Sequence, residues 1–76
     1  MLKSEFLEEL QDLLQRNDPI ALDMTLNDIA EWDSLAIMSC MAYFDKKFNL
    51  KTKISQYEKL NTISDLLALA DDFITA

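Results

Sequence analysis

Glycine and histidine are absent from this chain of 76 residues, and proline, cysteine and tryptophan occur once each. The single cysteine, Cys40, excludes an internal disulfide, and without histidine the usual zinc-ligand sets cannot be assembled, so packing alone must hold the fold. A serine or cysteine nucleophile generally needs a base within hydrogen-bond reach, and the missing imidazole argues against a self-contained hydrolase. Asp71 and Asp72 point in different directions on a helix and read as solvated surface, not as an acid/base couple. No apolar run approaches the roughly 20 residues that cross a bilayer, and Met1-Leu2-Lys3-Ser4-Glu5 opens no leader with an apolar stretch and a cleavage site. The expectation is a non-catalytic cytoplasmic protein with no metal site and no membrane span.

Positive charge is also scarce, with 7 bases against 14 acids and a net charge of −7. Nucleic acid would be repelled by this surface, whereas partners with basic patches would be attracted, although acidity serving solubility alone gives the same composition. Residues 1–45 hold ten acids and two bases, while Lys46 to Lys59 hold five bases and one acid, so the amino-terminal part sets the long-range field.

Half of the residues are apolar, enough for one small core, and no repeat or linker divides the chain, so residues 1–76 read as a single domain. With no glycine, the strongest punctuation is Asn17-Asp18-Pro19. Before it, Leu2, Phe6, Leu10, Leu13 and Leu14 recur at helical spacing opposite Glu5, Glu8, Glu9 and Asp12, an amphipathic first helix. From Pro19 to Trp32 no period is sustained, which predicts a long loop that tucks Ile20, Leu22, Leu26 and Ile29 inward, with one possible helical turn at Leu26–Ala30. Asp33 is a good N-cap for a second helix running to about Phe48. Its expected core stripe is Ile37, Cys40, Met41, Phe44 and Phe48, with Leu35, Met38 and Ala42 nearly opposite. Ile54, Tyr57 and Leu60 suit a short helical segment. Thr62 with Asp65 resembles a capping box before a last helical stripe of Ile63, Leu66, Leu67, Ala70, Phe73 and Ile74. The expected fold is all-α, a small four-helix bundle of three longer helices and one short one, with a long loop between the first two.

Trp32-Asp33-Ser34-Leu35 places a serine after a loop and in the first turn of a largely apolar helix. Asp33-Ser34-Leu35 resembles the Asp-Ser-Leu attachment motif of acyl carrier proteins. The likeness extends over nearly the whole chain, through Tyr43-Phe44-Asp45-Lys46-Lys47-Phe48, Ile54 and Thr62-Ile63-Ser64-Asp65-Leu66. The resemblance implies that Ser34 carries a covalent 4'-phosphopantetheine arm donated by coenzyme A, whose terminal thiol holds an acyl group as a thioester. It implies that Asp33 and Leu35 help a phosphopantetheinyl transferase recognise the site, the transferase supplying catalysis and Mg²⁺. An acyl-loading ligase or acyltransferase and downstream synthases are the further partners it implies, acting on a monomer. Physically, the unpartnered N–H groups of a helix start suit a phosphodiester on Ser34, whereas the plain alternative makes Asp33 only a cap and Ser34 an ordinary first-turn residue.

The chain departs from that family in two places. Glu31 and Trp32 stand where many members carry glycine shortly before the motif, and Trp32 is expected to be partly buried. On the helix after Ser34, Ala36, Ser39 and Lys46 replace the acids usual in carriers of bacterial fatty acid synthesis, leaving Asp45. Leu35, Met38, Ala42 and Asp45 are therefore the expected partner-binding residues, unless the apolar three pack under the long loop. The depleted acids tilt the reading from fatty acid synthesis towards a specialised lipid, polysaccharide or natural-product pathway. The alternatives are an aminoacyl carrier loaded by an adenylating ligase and, from another class, an unmodified helical adaptor whose function does not depend on Ser34. Cys40, on the core face, reads as a small buried apolar residue.

Overall fold

The apolar repeat of the first segment coils as α1, Lys3–Leu13, in the structure, a computed structural model that describes residues 1–75. Its first turn closes when the Leu2 N–H donates to Glu5 Oε1 at 2.8 Å. Its end is a Schellman motif: Gln15 N–H donates to the Asp12 carbonyl at 3.0 Å and Arg16 N–H to the Gln11 carbonyl at 3.1 Å. That motif needs one left-handed residue, and in a chain without glycine it falls to Gln15, at φ 56°, a conformation costing a side-chain-bearing residue of order 1 kcal/mol.

The following loop is long but not loose. Ile20, Leu26 and Ile29 are buried, and one 3₁₀ turn forms at Leu26–Asp28. The loop is laced to the start of the last helix: Leu26 N–H donates to the Asn61 carbonyl at 2.8 Å, Ile63 N–H to that of Met24 at 3.0 Å and Ser64 N–H to that of Leu22 at 2.9 Å. These bonds satisfy backbone groups that the absence of regular structure leaves over.

The second helix, α2, spans Ser34–Phe48 and ends on a left-handed Asn49. Its buried line is Ala36, Cys40 and Phe44, while Ile37, Met41 and Phe48 are only partly buried. The core side is thus rotated from the expected stripe towards Ala36. The cause is α1, which packs on that flank and brings Phe6 against the rings of Phe44 at 6.2 Å and Tyr43 at 6.4 Å. Phe44 also meets Phe48 at 6.0 Å and Tyr57 at 6.4 Å, so this one side chain links α1, α2 and α3, Ile54–Glu58. Each fully buried ring contributes about 1.5–3 kcal/mol of burial, which makes the cluster the mechanical centre of the domain.

The last helix begins as read. Asp65 N–H donates to Thr62 Oγ1 at 3.2 Å, and Asp65 Oδ2 accepts from the N–H groups of Asn61 at 3.0 Å and Thr62 at 3.1 Å. It is shorter than its apolar stripe predicts. α4 covers only Ile63–Ala68, a 3₁₀ turn follows at Asp71–Phe73, and Phe73 is exposed, so the bundle has two long helices and two short ones. Two consecutive acids at the carboxyl-terminal end of a helix oppose its dipole. The chain beyond them is drawn instead to the amino terminus, where Thr75 N–H donates to the Met1 carbonyl at 2.7 Å and Lys3 N–H to the Thr75 carbonyl at 3.1 Å.

Candidate functional site

The start of α2 is set by Asp33, whose extended backbone stops the helix and whose Oδ1 accepts the Ala36 N–H at 2.9 Å. Ser34 is therefore the first helical residue, and its side chain is exposed. Leu35 beside it is 71% exposed. The N–H groups of Ser34 and Leu35 lie in the turn where a helix offers no internal acceptor, and no carboxylate occupies that first turn.

Behind the serine, the approach segment is held at three points. Ile29 is buried, its carbonyl accepting the Trp32 N–H at 3.0 Å, and Trp32 is partly buried against the core as expected. Between them Glu31 Oε1 accepts from the Arg16 guanidinium at 2.9 Å. The Glu31 carboxyl lies below its ordinary range, held first by its own backbone N–H and then by Arg16. In the sequence Glu31 stands out only as a departure from glycine, and its pairing with Arg16 does not show there. The one available signal was that Arg16 is the chain's single arginine.

A cleft of about 310 Å³ opens beside the serine between the end of α1 and the start of α2, floored by Leu13, Leu14 and Ala36 and edged by Glu31, Asp33 and Ser39. Met38, at 59% exposure, and Ala42 continue the open side of α2 from Leu35, so these three do not pack under the long loop. Asp45 follows on the same side but is not a free acid, because it accepts from Lys51 Nζ at 2.7 Å. A second hollow of about 190 Å³ lies there, lined by Met41, Ala42, Asp45, Lys51 and Thr52.

Cys40 faces the opposite way. It is 1% exposed, and burial pushes its thiol up to about 12, which leaves no thiolate for chemistry. Among the described residues, no three His, Cys, Asp or Glu side chains gather closely enough to hold a metal ion, and no helix is long and apolar enough to cross a membrane.

The residues at the start of α2 fit a phosphodiester on Ser34. The serine is open to solvent, the two first-turn N–H groups beside it have no helical acceptor, Asp33 already spends one oxygen on the helix cap, and the adjoining cleft gives an attached chain room. Comparisons with known proteins bear on the chain as a whole. Residues 4–70 match the model of the family described as the phosphopantetheine attachment site. The fold is similar to the solution structure of a holo acyl carrier protein from Geobacter metallireducens, with a TM-score of 0.71 and 22% sequence identity over 90% of this chain and 79% of that one. No curated protein matches the sequence.

Proposed function

The chain belongs to the phosphopantetheine-attachment-site family, whose members are carriers and not catalysts, and on that premise we propose that Ser34 bears the 4'-phosphopantetheine and that the cargo is acyl. When bound, the arm supplies a terminal thiol on which an acyl group is held as a thioester. The observation that carries the assignment is the placement of Ser34, an exposed hydroxyl at the first position of α2 between a capping Asp33 and an exposed Leu35.

In this reading a phosphopantetheinyl transferase approaches over Asp33 and Leu35, and an acyl-loading ligase or acyltransferase and later synthases use the open side of α2. Leu35, Met38 and Ala42 provide the apolar contact, and methionine adapts to more than one partner surface. The pathway we favour is a specialised lipid, polysaccharide or natural-product route over general fatty acid synthesis. What supports this is the chemistry of α2, where Asp45 is neutralised by Lys51 and the following residues are Lys46 and Lys47. The protein works as a cytoplasmic monomer, a state consistent with its net charge of −7, which opposes self-association.

The test is the intact mass after incubation with coenzyme A, Mg²⁺ and a broad-specificity transferase, with Ser34→Ala as control. A gain of one phosphopantetheine that the control loses is the expected result. No gain with several transferases would favour the unmodified adaptor.

A further inference from the structure

The segment that delivers Ser34 has no glycine to set its path and no regular structure between the 3₁₀ turn at Leu26–Asp28 and α2. Its geometry is imposed from outside, by the packing of Trp32 on the core and by one side-chain hydrogen bond from another part of the chain, that of Arg16 to Glu31. This arginine is itself fixed. Its N–H closes the Schellman motif on Gln11, and its carbonyl accepts from the Gln11 side-chain amide at 3.2 Å. The side chain is 17% exposed and its Nε is buried without a partner, so the guanidinium is committed to Glu31 through its terminal nitrogen. The bridge spans fifteen residues of sequence and ties the end of α1 to the residue three positions before Ser34.

From this geometry we infer that the Arg16–Glu31 ion pair is a positioning device for modification of Ser34, holding Glu31 to Asp33 in the path the transferase must meet. The inference rests on the assignment of Ser34 as the attachment residue. In the reaction, Ser34 Oγ forms a new bond to the coenzyme A phosphate that bears the pantetheine. The pyrophosphate bond breaks, adenosine 3',5'-bisphosphate leaves, and the hydroxyl proton passes to a base of the transferase. Neither Arg16 nor Glu31 takes part in these steps. The pair raises the fraction of molecules whose segment is already in the competent path, and a loss of that fraction weakens apparent affinity by the same factor without changing turnover.

The experiment compares wild type, Arg16→Gln, Glu31→Gln and the exchanged pair Arg16→Glu with Glu31→Arg, all as full chains verified as folded by circular dichroism. Phosphopantetheinylation kinetics are measured with a broad-specificity transferase, and amide hydrogen exchange is followed without it at Trp32, whose N–H donates to the Ile29 carbonyl. A partly exposed ion pair sets the scale, so each single variant should raise KM about threefold to fivefold with kcat unchanged. Exchange at the Trp32 amide should quicken by a similar factor, and the swapped pair should restore both readouts. Wild-type KM and exchange in both single variants would overturn the inference. So would an effect confined to Glu31→Gln, which would mark a direct contact with the transferase, or a swapped pair that restores neither readout. If wild type itself is not modified, the Ser34 assignment fails, whereas the exchange data still decide whether the pair orders the segment.

Discussion

Asp33 caps α2 and, in the proposed function, also lies where the transferase approaches, and replacing it tests the two roles separately. Its Oδ1 holds the Ala36 N–H at 2.9 Å, a bond that alanine cannot make, so Asp33→Ala should cost about 1 kcal/mol of stability. A domain of 76 residues unfolds with an entropy of about 0.16 kcal/mol/K, which converts that loss into a drop in Tm of about 6 °C. Asp33→Asn keeps an acceptor of the same reach and removes only the charge. Its drop should be about 2 °C, the weaker end of what a carboxylate contributes at a helix amino terminus. Thermal melts followed at 222 nm give the first readout and transferase kinetics the second. If the carboxylate also serves recognition, Asp33→Asn lowers kcat/KM while melting near wild type. Melting of Asp33→Ala within about 1 °C of wild type, or an equal drop in Asp33→Asn and Asp33→Ala, would refute the capping role.

Cys40 should be silent towards a thiol reagent at pH 8 in the folded protein, because it is buried and its pKa is pushed up to about 12. Folded unmodified protein should thus show no fast-reacting thiol and modified protein one, with Cys40 appearing in both on adding urea; rapid reaction of folded Ser34→Ala protein would contradict the packing. Asp65 is held below its ordinary value of 3.8 by the N–H groups of Asn61 and Thr62. Its contribution is therefore full above pH 3.8 and is lost as the pH falls from there through the lower folded value. Urea midpoints measured across that window should fall less steeply for Asp65→Asn than for wild type, and equal slopes would show that the carboxylate's bonds are not what acid removes.

What the sequence made legible was written in short spans. The α1 stripe, the Asp33 cap and the Thr62–Asp65 box each depend on residues three or four apart; the cap and the box are present, and of the stripe Phe6, Leu10 and Leu14 are buried, whereas Leu13 is only partly buried and Leu2, ahead of the helix, is exposed. Interactions between distant segments carry no such period. Arg16 meets Glu31 across fifteen residues, and Lys51 takes up Asp45 only because the turn after α2 folds back. The rotation of the α2 core stripe has the same origin, since α1 decides which flank is covered and a helical wheel does not contain α1. The left-handed turn at Gln15 was invisible for another reason: glycine usually announces such a position, and here the hydrogen bonds of the helix end impose it on an ordinary residue. The shortened α4 shows the limit of apolar spacing. Ile74 is buried as the stripe requires, but it arrives through a 3₁₀ turn.

The division of labour along α2 follows from these contacts. Ala36, Cys40 and Phe44 fasten the helix to the rest of the domain, while Ser34, Leu35 and Met38 contribute little to holding it and are left for other molecules. In the proposed function Ser34 is met by several enzymes, a role that gains from a mount that does not deform, and the mount here is the aromatic cluster beneath α2, the laced loop behind it and the Arg16–Glu31 bridge. Charge divides in the same manner. In the proposed function the net charge of −7 steers distant approach, whereas the side of α2 offered to partners is apolar at Leu35 and Met38 and turns cationic at Lys46. Long-range attraction and close docking therefore draw on different residues. Added salt should act mainly on the encounter rate, while substitutions at Leu35 or Met38 act on the lifetime of the complex.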